Sequence, residues 1–204
     1  MKNLHESATI LNEKRFTKEL AALPEFIKKS AVDGLPIHDF EKSLWEKVLS
    51  LGHEALGLYL SMQGSGDLGE TYTNKDGIEL RRYEELHSRL LKTVFGTFKI
   101  SRAVYGTREG QKIELSPLDT RLELPESEFS YLLQDWSQYL SVECSYAHVM
   151  GIFDRIIGVH HPVDSLERTN KKFSEDVNEF RELQSQPSVA DEGAIFVLSA
   201  DGKG

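Results

Sequence analysis

The chain has 204 residues, a net charge of −9 and a hydrophobic share of 39%, enough for one substantial core or two small ones. Its acidity argues against unspecific adhesion to nucleic acid while leaving room for a local basic face, and its one cysteine, Cys144, excludes an internal disulfide and a cysteine-rich zinc site. No apolar stretch reaches the ~20 residues of a membrane span and the N-terminus carries no apolar signal-peptide core, so no membrane partner and a cytoplasmic location are expected.

Residues 1–38 are polar, punctuated by Pro24, Gly34 and Pro36, with a faint helical pattern over Thr9–Leu23. From Asp39 the pattern sharpens. Phe40, Leu44, Val48, Leu51, Ala55 and Leu58 recur at spacings of three and four, which predicts an amphipathic helix capped by Asp39 and ending before Gly64-Ser65-Gly66. Residues 64–80 read as a loop, with at most a short strand after Asp76-Gly77. The run SRLLKTVFGTFKISRAVYG is rich in β-branched and aromatic residues around Gly96, which predicts two strands or one kinked strand. Phe98, Ile100 and Val104 share a face that Arg102 interrupts, while Lys99 and Ser101 point the other way. From Arg81 to Gly110 seven basic residues face three acidic ones, a basic island in an acidic chain.

An extended connector through Pro117-Leu118-Asp119 leads to a helix from about Pro125, with Phe129, Leu132, Leu133, Trp136 and Leu140 inward. Ser145 caps the next helix, whose core face is Val149, Phe153, Ile156 and Ile157 and whose stop is Gly158. A turn through His160 and His161 precedes Pro162 at a helix N1 position. Val163, Leu166, Asn170, Phe173, Val177 and Phe180 then form a heptad-like seam, which offers a homodimer contact. A polar linker leads to AIFVLSADGKG, a dense apolar strand that ends in Asp201-Gly202.

Two of these features invite chemistry. The helices Ser145–Ile157 and Pro162–Phe180 joined by a tight turn resemble a helix-turn-helix. Its second helix would read bases with Asp164, Ser165, Arg168 and Thr169, and reach phosphates with Lys171 and Lys172. An αα-hairpin packed for stability alone has the same pattern. In the basic island, Lys99 and Arg102 could follow a phosphate backbone; a solvated sheet face would look no different. Asp201 at the end of a strand could present a carboxylate to Mg²⁺, or be an ordinary Asp-Gly turn.

Taken in order, TVFGTFKISRAVY, SPLDTRLELPESEFSYLLQDWSQYLSVECSYAHVMGIFDRIIGV, VDSLERT and FVLSADGKG resemble bacterial insertion-sequence transposases of the DDE type, in the group called ISKra-type. The resemblance covers roughly residues 82–204. It implies an N-terminal region that binds the terminal inverted repeats of a mobile element, followed by an RNase H-like catalytic domain. Asp201 matches the first acidic residue of the catalytic triad, a ligand of Mg²⁺ in the full-length enzyme. Two departures stand out: no downstream acidic residues follow Asp201, and the cysteine pair of some relatives is missing from YGTREGQKIELSPLD. The expectation is therefore an N-terminal transposase fragment, from a truncated gene or a split reading frame, that binds DNA, needs no cofactor of its own and is inactive alone. Its expected fold is mainly α with a small β-hairpin, a helix-turn-helix-like region and the first strand of a truncated RNase H-like domain. The expected divisions are residues 1–80, 81–120, 121–186 and 187–204. The alternatives are a stand-alone helix-turn-helix regulator and a non-DNA helical interaction protein.

Overall fold

The structure is a computed structural model that describes residues 2–108, 110, 112–159, 163–175 and 177–184. The linker, the closing strand with Asp201, and the turn residues His160, His161 and Pro162 lie outside the described residues. What is described is mostly helical, with two small antiparallel sheets.

The N-terminal third is a helical hairpin. Helix α1 runs Lys2–Val32 and α2 runs Ile37–Met62, with Gly34 at φ 65° in the connection. The faint pattern over Thr9–Leu23 therefore understates a 31-residue helix that contains Pro24. The less exposed side of α1 is Thr9, Asn12, Phe16, Glu19, Leu23, Phe26 and Ser30, a heptad seam against α2. Four of its seven members are polar, so a search for apolar periodicity passes over it. Thr9 donates to the Ser61 carbonyl (3.0 Å), Asn12 donates to that of Gly57 (3.3 Å), and Phe26 stacks on Phe40 at 5.4 Å between ring centroids. Asp39 lies in the first turn of α2 while Pro36 occupies the cap position, without a side-chain cap bond.

Residues 64–80, expected as loop with at most a short strand after Asp76-Gly77, hold that strand as the start of β2 (Glu79–Arg82) and an unexpected partner, β1 (Thr71–Thr73), paired with it as a hairpin. The Asn74 carboxamide oxygen accepts from the amides of Asp76 and Ile78, and Gly77 takes φ 77°. Strands β3 (His87–Thr93) and β4 (Gly96–Arg102) pair in the predicted hairpin. Gly96 at φ 109° closes it, because a left-handed backbone there favours glycine. Strand β5 (Tyr105–Gly106) returns to β2, and the Tyr83 amide donates to the Val104 carbonyl (2.9 Å). The two sheets thus follow one bent antiparallel ribbon, which crosses the expected division at residue 80.

The connector contains a short helix, α3 (Pro117–Arg121). Three helices follow: α4 (Tyr131–Glu143), α5 (Tyr146–Ile157) and α6 (Val163–Ser174). Their shared core is Leu133, Val149, Met150, Phe153, Ile157, Val159 and Leu166, with Val94 from the β3–β4 turn. The inner face of α4 is rotated from the expected one. Leu133, Gln134 and Ser137 are buried, whereas Leu132 and Trp136 are exposed. On α5, Met150 takes the inward place expected of Ile156, which is 50% exposed. The expected long last helix is broken, with α7 (Val177–Leu183) following α6 separately. Of its seam only Leu166 is buried; Phe173 and Phe180 are exposed.

Candidate nucleic-acid interface

The α5–α6 pair is built as its sequence suggests. The Ser145 hydroxyl accepts from the His148 amide at the start of α5, and Gly158 ends it in the left-handed conformation at φ 65°. Leu166 then seats α6 in the common core. Ser165 is buried beside it at 5% exposure, its carbonyl accepts from the Thr169 hydroxyl (3.0 Å), and its hydroxyl accepts from Arg168 (3.4 Å). The Arg168 guanidinium also donates to the Asp164 carbonyl at 3.3 Å. Lys171 is exposed, and Lys172 pairs with Glu126 at the surface.

Four of the residues singled out in the sequence, Ser165, Arg168, Thr169 and Lys172, line one cleft of about 640 Å³. Its opposite wall is the segment 125–131, with Glu126, Ser127, Glu128, Phe129 and Tyr131. The Lys172 ammonium donates to the Glu126 carboxylate and holds its carboxyl below the usual range. A cationic helix face thus lies against an acidic loop. Sequence reasoning missed that loop, because nothing in local spacing tells that Glu126 and Lys172 meet.

The basic strands build this wall. Arg89 donates to the carbonyls of Pro125 (2.6 Å) and Ser127 (2.5 Å). The Lys92 amide donates to the Glu128 carbonyl (2.6 Å), and its ammonium pairs with the Glu128 carboxylate (2.9 Å). Arg89 and Arg102 converge on Asp119 of α3. Arg82 pairs with Asp67. Much of the basic island is therefore spent on internal ion pairs. Arg102, 13% exposed at its side chain, sits on the inner face of β4 beside Ile100, and its charge answers Asp119. Lys99 is exposed on the outer face of β4 and borders a separate cleft of about 350 Å³ that Arg15, His53 and Glu54 also line.

Asp201 lies outside the described residues. Among the described residues, no three His, Cys, Asp or Glu groups come together as a metal site. Cys144 is half-buried at the end of α4. Among the described residues no helix is long and apolar enough to cross a membrane. Comparison of the chain with protein-family models, with curated proteins and with solved structures finds no match.

Proposed function

We propose that the chain binds DNA through α6, as the part of a DDE-type transposase that engages the ends of its element. The observation that carries the reading is the gathering of Arg168, Thr169 and Lys172 on one side of α6 after a capped and glycine-stopped α5. Arg168 and Thr169 reach base edges and Lys171 neutralises phosphate, while Lys172 contributes a phosphate contact only by exchanging its Glu126 partner for DNA. Lys99 adds a phosphate contact from the outer face of β4. Ser165 acts by positioning Arg168 and Thr169, since its burial keeps it from the groove floor of a duplex.

Catalysis belongs to the same reading only through Asp201. Mg²⁺ would supply charge neutralisation and nucleophile activation in strand transfer. A two-metal site takes several carboxylates, and the described residues provide no such set, so no catalytic step is assigned to this chain.

The test is titration of labelled DNA carrying terminal inverted repeats against the full chain. Arg168→Ala should weaken binding by roughly ten-fold, the effect of about 1.4 kcal/mol. Lys171→Ala should lower affinity for all sequences alike and reduce the salt slope by about one. Absence of retardation at low salt would sink the reading. It would favour instead a protein-interaction role, for which the outer groove of α4 and α5, lined by Trp136, Tyr139, Ile152 and Ile156, is the supporting observation.

A further inference from the structure

We infer that the α1–α2 hairpin is a self-association surface, half of a four-helix bundle completed by a second copy of this chain. Among the described residues, helix α1 packs on α2 and on no other helix or strand to a comparable extent. Helix α2 contains no buried residue, and on α1 only Ser30 is buried among the residues with described side chains. Yet Leu20 is 47% exposed, Ile27 44%, Val48 41% and Tyr59 50%. A soluble hairpin of this length ordinarily buries such residues against a further layer.

Their placement is not scattered. With 3.6 residues per turn, Leu20, Ile27 and Ala31 fall within about 40° of one another on α1, and Leu44, Val48, Ala55 and Tyr59 within about 60° on α2. Each stripe lies about 80° round from the seam that joins the two helices. Because the helices run antiparallel, equal rotations in the chain direction bring both stripes to the same side of the hairpin. The opposite side of α2 from α1 is already used. Leu49 packs on the helical core, Leu60 on the Leu91, Ile100 and Leu118 cluster, and His53 donates to the Phe95 carbonyl (2.8 Å).

The size and charge of this face fit a second copy. A hairpin based on the 26 residues of α2 is about 39 Å long, and two helices 8–10 Å apart present a face about 18 Å wide. The projected area of roughly 700 Å² matches the ~800 Å² per partner of a stable interface. Glu13 and Lys28 lie seven residues before and eight after Leu20. A two-fold axis near Leu20 in an antiparallel α1–α1 pairing therefore sets each copy's Glu13 opposite the other's Lys28. Lys28 reaches Glu25 of its own helix only through an exposed contact of 3.5 Å, which such a pairing can extend into a network.

Sedimentation equilibrium of the full chain tests this. Wild type should give twice the monomer mass at micromolar concentration, and Leu20→Glu with Val48→Glu should halve that mass while circular dichroism stays helical. Phe180→Glu, in the α6–α7 seam, should leave the dimer intact. A second measurement stands if the double variant fails to fold. In a Cys144→Ser background, Leu20→Cys should cross-link to itself under mild oxidation, while Glu46→Cys on the other edge of α2 should not. A monomeric wild type overturns the inference and hands the face to another partner, as does a dimer that survives the double variant folded or dissolves with Phe180→Glu. Failure of Leu20→Cys to cross-link above the Glu46→Cys control overturns the antiparallel pairing.

Discussion

Asp119 shows how one carboxylate can redirect a basic surface. It accepts Arg89 and Arg102, both less than one-fifth exposed at their side chains. Two partly buried guanidiniums left without it would carry uncompensated charge, so Asp119→Ala should lower the unfolding free energy by about 3 kcal/mol in a urea titration, and Asp119→Asn by less. Asp67 makes a comparable junction between Arg82 of β2 and Tyr105 of β5. Burial pushes its carboxyl up, but the Gly69 amide, Arg82 and the Tyr105 hydroxyl outweigh this and hold it below its ordinary value of 3.8. The same burial, with Asp67 beside it, raises the Tyr105 hydroxyl. A carboxyl depressed in the folded state stabilises above its unfolded value, and that contribution is lost as pH falls through the folded one. Urea midpoints should therefore drop below pH 3.8, and Asp67→Asn should flatten that part of the profile. Neither junction is legible in the sequence, where Asp119 is 17 and 30 residues from its two arginines.

Among elements, α5 was the most legible. Ser145, the apolar face and Gly158 are all local signals, and tertiary packing agrees with them apart from the exchange of Ile156 for Met150. At Gly158 the cost of a side chain is purely conformational, since an added Cβ would meet nothing within 4 Å. Gly158→Ala should therefore lower the unfolding free energy by about 1–2 kcal/mol, and Gly158→Asn by less, as read from thermal denaturation. The β3–β4 hairpin was nearly as legible, because the alternation and Gly96, which closes the turn at φ 109°, are both local, although the run alone left one kinked strand open. Helix α4 was predicted with its inner face partly rotated: Leu133, Leu140 and the preceding Phe129 do pack on the core, while Leu132 and Trp136 are exposed and Gln134 and Ser137 take their places. Its buried Gln134 donates to the Phe129 carbonyl (2.5 Å) and the Ser127 hydroxyl (3.1 Å), and Ser137 donates to Leu133 (2.5 Å). These polar residues are inside because the loop and helix backbones give them partners, which a hydrophobicity pattern does not count. The α6–α7 seam kept its spacing but not its continuity, as the helix stops after Ser174.

At the scale of the whole molecule, the helical hairpin, the bent ribbon and the α4–α6 cluster meet through α2 and the β3–β4 turn. Val94 enters the helical core, and Gly52 lies so close to Phe95 that a Cβ would come within 2.4 Å of its ring. If the outer hairpin face pairs two copies, the melting temperature should rise with protein concentration for wild type and stay constant for the Leu20→Glu, Val48→Glu variant, as calorimetry over a concentration series would show. From the sequence by itself came the features carried by neighbouring residues: the second helix of the hairpin, the β3–β4 turn, the caps of α5, and a cationic stretch on α6. Periodicity, glycine backbone freedom and capping act over a few residues, so a linear reading captures them. Only the tertiary structure decided which cations are free. Charge pairing, polar burial and the polar seam of α1 depend on what the rest of the chain brings within a few ångströms, and Arg102 at Asp119 and Lys172 at Glu126 owe their partners to that approach alone.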